Sequence, residues 1–242
     1  MRRLQRGCVV FRGVLLVLVA ASTFSASGCR APRPVPTSEC VTDYDRMSDD
    51  YEPLASLVYI PDSNGPARYR AVAVGPFAVG SGVEPRERAF GYATLFRVLL
   101  KRELEKLEEF ESVALESGGA GSAHGSGDEL RLEGMVTRFD MGSGTMRYMH
   151  GLLPLLPSGA TDLQVEGRLM EGATGKVLLE FVDRRRGIYN TPFGPTPRNL
   201  REERFAMDLT ARDTAACLAE LIRQWHEALR DVGNAARPGR AN

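Results

Sequence analysis

The sequence predicts an α+β domain: a mainly antiparallel sheet of about five strands with two amphipathic helices packed on one face. Three observations carry that expectation. Segments 129–140, 161–170 and 176–185 alternate apolar and polar residues with period two, the pattern of antiparallel strands with one solvated face. Two longer segments repeat apolar residues at spacings of three and four, the pattern of helices with one buried stripe. The order along the chain is strand, helix, strand, three strands, helix, which favours a layered α+β fold.

The first strand is 69–77. It is apolar on both faces and ends at Gly75-Pro76, which places it centrally in the sheet. A helix follows over 85–109, with Phe96, Leu100, Leu104 and Leu107 along one stripe and Lys101 paired with Glu105 on the wet side. Residues 110–115 form a short strand. The glycine-rich stretch 118–127 has neither the lysine nor the helix start of a phosphate loop, so it reads as a connector.

In the three alternating strands the core positions are Leu130, Leu132, Gly134 and Val136, then Leu163, Val165, Gly167 and Leu169, then Val177, Leu179 and Phe181. Asp162, Gln164, Glu166 and Arg168 are expected to face water, and 171–175 makes the hairpin turn. An irregular stretch over 187–199 precedes the last helix. That helix is expected to begin near Thr210, where Thr210 and Asp213 offer a capping box. Leu218, Leu221, Ile222, Trp225, Leu229 and Val232 form its apolar face, with Trp225 in the core and His226 on the wet side.

The chain opens with Arg2, Arg3, Arg6 and Arg12, then the apolar run 13–21, then small and hydroxylic residues up to Gly28. Basic, apolar and small-residue regions in that order make an export signal over 1–28. A spanning helix needs about 20 apolar residues, so this run is too short for a comfortable anchor. Ala26-Ser27-Gly28-Cys29 resembles the lipobox of bacterial lipoproteins, in which the cysteine is acylated and becomes the first residue. The pattern prefers Leu where this chain has Ala26. An ordinary signal peptidase would also accept Ala26 and Gly28, leaving a soluble exported chain. The favoured expectation is lipidation at Cys29, since two or three acyl chains hold a protein at a membrane where one binds marginally.

Residues 29–56 are expected to be a lipidated N-terminus and a flexible tether, rich in proline and aspartate, whose later part can drape over the domain. A single periplasmic domain then occupies 57–234, and 235–242 is a disordered tail. Cys8 leaves with the signal, so Cys40 and Cys217 remain. They are either a disulfide, which an oxidising compartment permits, or two unpaired thiols. The chain balances 31 basic and 31 acidic side chains. The four arginines of the signal leave with it, and the rest is mildly acidic. No basic footprint for nucleic acid follows, and no polybasic membrane patch.

Catalytic patterns are absent from the sequence. His124, His150 and His226 share no metal-ligand spacing, and no nucleophile motif follows a strand-turn element. The expectation is no enzyme and no cofactor. Arg184-Arg185-Arg186 reads as a solvated strand end, the alternative being an acidic counterpart in Glu180 and Asp183 or on a partner's surface. The segment around Met146, Tyr148, Met149, Leu152, Leu153, Leu155 and Leu156 is apolar and broken by proline. It is expected either to cover the sheet as a lid or to contact a partner, a ligand or the membrane.

Several stretches together resemble a family of uncharacterised proteobacterial lipoproteins, defined as a domain of unknown function. They are Asp43-Tyr44, 57–61, 69–77, "ELRLEGMVTRF", "GATDLQVEGRLMEGATGKVLLEFVDRRRG" and the closing helix. The resemblance implies envelope location and a lipid anchor, and brings no catalytic residues. The function expected is a lipid-anchored cell-envelope lipoprotein, at the outer membrane facing the periplasm, that binds or scaffolds an envelope protein. The alternative is a periplasmic carrier of a small apolar ligand or lipid.

Overall fold

The computed structural model describes residues 33–37, 39–41, 43–61, 69–116, 128–143, 145–146, 149, 159–187 and 203–235. Six strands are formed: β1 (Leu57–Tyr59), β2 (Ala71–Val79), β3 (Ser112–Leu115), β4 (Glu129–Asp140), β5 (Thr161–Glu171) and β6 (Val177–Gly187). Two helices accompany them, α1 (Arg86–Leu104) and α2 (Glu203–Ala235). The strands make one sheet in the order β1-β6-β5-β4-β2-β3. β4, β5 and β6 form an antiparallel meander, β1 adds antiparallel to β6, and β2 runs parallel to both β3 and β4. The sheet is therefore mixed, within the α+β class expected.

Period two decides what each face of the meander carries. Leu132 opposes Leu169, Val136 opposes Val165 and Leu169 opposes Leu179, and all of these are buried. Both helices cover this face: α1 packs on β2, α2 packs on β5 and β6, and the helices pack on each other. Phe96 of α1 meets Phe77 of β2 edge to face at 5.0 Å. Trp225 of α2 stacks on Tyr69 at 6.3 Å, so the single tryptophan is core. Pro76 sits where the β2–β4 register shifts, between Val74 and Phe77. There the Val74 carbonyl accepts from the Arg97 guanidinium of α1 at 2.9 Å.

Several expectations are corrected. β1 is a sixth strand, and three residues are too few to show a period. α1 ends at Leu104, not at 109. α2 begins at Glu203, seven residues before Thr210, so no capping box forms. Thr210 is instead an interior residue whose hydroxyl bonds Ala206 O at 2.9 Å and lies 3.0 Å from the Thr161 hydroxyl. His226 is buried, not wet: its Nε2 lies 3.2 Å from Tyr69 O and its ring 5.2 Å from Phe110. Burial pushes its pKa below the ordinary histidine value.

Gly134 and Gly167 oppose each other on the helix-facing side, and aromatic rings lie over both. A β-carbon at Gly167 would lie 2.8 Å from Glu133 O and closer still to the Phe181 ring. Gly167→Ala is expected to cost about 2 kcal/mol through overpacking. The readout is a lowered urea midpoint with unchanged slope. Gly82→Ala, whose β-carbon meets nothing within 4 Å, should leave that midpoint unmoved.

Candidate functional site

β5 carries Asp162, Gln164, Glu166 and Arg168 on the face turned from the helices, where water was expected. That face is covered. Residues 33–37, 39–41 and 43–47 lie across it as a strap, and Asp162, Gln164 and Glu166 are buried beneath. The Gln164 amide pairs with the Val35 backbone as a peptide group would, accepting from Val35 N and donating to Val35 O, both at 2.8 Å. The Glu166 carboxylate accepts from the Tyr44 hydroxyl at 2.6 Å, the Thr37 hydroxyl at 2.8 Å, Val41 N at 3.2 Å and Gln164 Nε2 at 3.1 Å. Burial, helped by the bond to Glu166, pushes the Tyr44 phenol above its ordinary value.

Arginines of the sheet complete the fastening. Arg168 donates to Cys40 O and Arg184 to Arg33 O, each at 2.7 Å. Asp162 holds Arg184 in place with bonds of 2.9 and 2.6 Å and takes Arg138 at 2.7 Å. Burial would raise the Asp162 pKa, but these two guanidinium partners outweigh it and hold the carboxyl below the usual range. Beyond a single 3-10 turn at Tyr44–Arg46, Arg46 bonds Glu180 at 3.2 Å and lies over the Tyr59 ring at 4.4 Å. Ser48 then bridges to Val58, so the end of the strap is paired with β1. The tether expected over 29–56 is thus docked from Arg33 onward, because a central strand cannot leave Gln164 and Glu166 buried without partners.

A second polar cluster lies on the helix-facing side. Asp183 of β6 is 1 % exposed and pairs with Arg185 at 2.8 Å. Arg185 also donates to Asp213 of α2 at 2.8 Å and to Pro53 O at 2.7 Å. The triple arginine is therefore not a solvated strand end: Arg184 and Arg185 are tied to opposite sides of the sheet. Burial lifts the Asp183 carboxyl to about 6 against the pull of Arg185.

The two cysteines are both free, and no disulfide joins them. Cys40 belongs to the strap and Cys217 to α2, on opposite sides of the sheet. Burial pushes both thiols up, so neither is activated as a nucleophile. Met146 and Met149 are half-buried. Cys29, Tyr148, Leu152, Leu153, Leu155 and Leu156 lie outside the described residues, as do His124 and His150. The stems of the leucine-rich segment run side by side, since a β-carbon at Gly142 (φ +63°) would meet the carbonyls of Gly159 and Ala160.

Two open surface clefts of about 470 and 380 Å³ adjoin at the end of the sheet where β2 and β4 finish. Arg88 and Met141 line both. Among the described residues no group of three or more His, Cys, Asp or Glu side chains could hold a metal ion. The arrangement has two chemical consequences. Glu166 has its acceptor capacity taken by four donors, and Asp183 is occupied by Arg185. These two carboxylates fasten segments of the chain to the sheet.

Residues 104–191, from the end of α1 through β3–β6, match the model of a domain of unknown function, DUF4410. No curated protein matches the sequence. Among solved structures, the PelC dodecamer of Paraburkholderia phytofirmans is 16% identical with a TM-score of 0.40, covering 66% of this chain and 94% of that one. A DUF330 protein from Xanthomonas campestris is 11% identical with a TM-score of 0.40, covering 70% and 92%. Lipoprotein GNA1162 from Neisseria meningitidis is 12% identical with a TM-score of 0.29, covering 64% and 94%.

Glu166→Ala removes the acceptor shared by Thr37, Val41 and Tyr44. Hydrogen-exchange protection is expected to fall over 35–46 while β4–β6 stay protected, since local opening follows local contacts. The buried ion pair has a pH signature. The folded-state value of Asp183 lies above that of an unfolded carboxylate, so its stabilising contribution is present at low pH and is lost as pH rises through about 6. Arg185→Leu enlarges that loss by leaving the anion unpaired. Urea unfolding is expected to show a cost of about 3 kcal/mol at about pH 7.5 and less near about pH 5.

Proposed function

We propose that this protein is a cell-envelope lipoprotein, anchored through acyl chains on Cys29 and facing the periplasm at the outer membrane, where it binds or scaffolds an envelope protein without catalysis. The observation that supports this reading most is the strap. The segment that follows Cys29 is fastened to the sheet by Gln164, Glu166, Arg168 and Arg184, which suits a part that holds a folded domain at an anchor. The buried side chains of Gln164 and Glu166 are engaged in that fastening rather than turned toward a substrate. The carrier alternative is the weaker one. Among the described residues the helices occupy one face of the central strands and the strap the other, and the two clefts are surface features rather than an enclosed apolar chamber.

The test is the intact mass of the protein extracted in detergent from its native membranes. The expected species begins at Cys29 with acyl mass added, in the outer-membrane fraction of a density gradient. Cys29→Ala is expected to move the protein to the soluble periplasmic fraction with its urea midpoint unchanged. A bare chain in the native extract would overturn the anchor.

A further inference from the structure

We infer that the end of the domain formed by the β2–α1 loop and the first turns of α1 lies against the lipid surface, with Phe90 reaching into the headgroup layer. This rests on acylation of Cys29 and goes beyond it, because covalent reach limits which end of the domain can meet the bilayer. Arg33 is fixed by its carbonyl bond to Arg184. Four residue steps separate it from Cys29, a span of about 14 Å at full extension.

Arg184 opposes Gln164, three positions from the end of the ladder at Thr161 and Gly187, which at the usual strand rise is about 10 Å. The strap runs from Arg33 beside Arg184 to Thr37 on Glu166 and Cys40 on Arg168. Traced from Cys40 back to Arg33, the strap therefore heads for the Thr161 end of β5. A fully extended linker clears that end by only a few ångströms. The opposite end, the hairpin around Ala173, lies the length of β5 away, about 30 Å at the same rise, and is out of reach.

The end within reach is where antiparallel β4 and β5 and parallel β2 and β4 place the last residues of β2 and β4, and hence the start of α1. The stems of the 144–158 segment leave the sheet there too. It is also where the helix layer leaves apolar side chains uncovered: Phe90 is 63% exposed and Leu95 36%, with exposed Gly91 and Thr94 beside them on α1. Charge does not drive the contact, because Arg86 and Arg88 are matched by Glu84 and Glu87 on the same loop and first turn. An acyl anchor with an exposed aromatic side chain at the same end of the domain needs no anionic lipid.

The experiment imposes the anchor chemically, so that orientation is read apart from cellular acylation. The chain 29–242 carrying Cys40→Ser and Cys217→Ser is coupled through Cys29 to a maleimide lipid in phosphatidylcholine vesicles, with and without brominated acyl chains. Tryptophan is introduced singly as Gly82→Trp, Phe90→Trp or Ala173→Trp, and the parent reports the buried Trp225. Gly82 has open space around its β-carbon, and Phe90 and Ala173 are exposed, so each variant is first required to keep the parent's urea midpoint.

The expected result is emission from tryptophan at 82 and 90 reduced by more than about twofold by brominated lipid, as for a side chain at the acyl boundary, with 173 and Trp225 unaffected. Equal quenching at 82, 90 and 173, or none at 82 and 90, overturns the proposed surface. Absence of quenching at 90 alone would assign that side chain to a protein contact and overturn its insertion. The native intact mass separates the two levels: an acylated native chain with unquenched 82 and 90 overturns the orientation only, whereas a bare native chain overturns the anchor and this proposal with it.

Discussion

The carboxylate of Glu166 is the constraint on which the rest of the arrangement depends. It sits on the central strand of the meander, shielded from water, and a buried anion is tolerated only where donors surround it. Its donors come from the strap, Thr37, Val41 and Tyr44, and from its neighbour Gln164. Hydrogen bonds to a charged group contribute about 1.5–3 kcal/mol each, and a missing one exposes the desolvation cost of the rest. The strap therefore does not dock piecemeal. Either the set is complete and the polar face is closed, or the carboxylate must be rehydrated.

The strand beside it divides its arginines between the two sides of the sheet. Adjacent residues of a strand point to opposite faces, so Arg184 reaches the strap through Arg33 O while Arg185 reaches Pro53 O and Asp213 of α2. One dipeptide thus ties both covering layers to β6. Each arginine is steadied by an aspartate of the sheet, Asp162 for Arg184 and Asp183 for Arg185. The two aspartates respond to pH in opposite senses. The pKa of Asp162 is held down by two guanidinium groups, so its contribution is lost as pH falls through the folded-state value, whereas that of Asp183 is lost as pH rises. The layers are fastened by the same chemistry in two different electrostatic settings.

The strands β4, β5 and β6 were legible because their alternation is local and every second residue repeats the same message. The cover over β5 was not. Period two says that Asp162, Gln164 and Glu166 share a face, but not what lies on it, and Val41 is 125 positions from Glu166. The signal that existed was a Gln and a Glu on a strand central in the sheet, a place where solvated polar groups are unusual. The capping box failed for a related reason: Thr210 and Asp213 have the same spacing inside a helix as at its start, and the turns before them carry no strong period. Trp225 and His226 show the limit of a helical wheel. Both are buried, because α2 lies in a groove where Tyr69 takes one ring and Phe110 the other.

A proline-rich stretch after a lipidation site reads naturally as a spacer, and the strap inverts that reading. Pro34 and Pro36 hold the backbone extended without offering donors to a neighbouring strand. Between and beyond them, Val35 and Thr37 supply the groups that Gln164 and Glu166 need. The same residues that would stiffen a free tether thus shape a segment to lie along a sheet. What remains between Cys29 and the first fastened residue is shorter than the domain is tall. Under the proposed anchor, a chain so held cannot sample a wide volume above a bilayer. So anchored, it would present one end to the lipid and the opposite hairpin to the aqueous space.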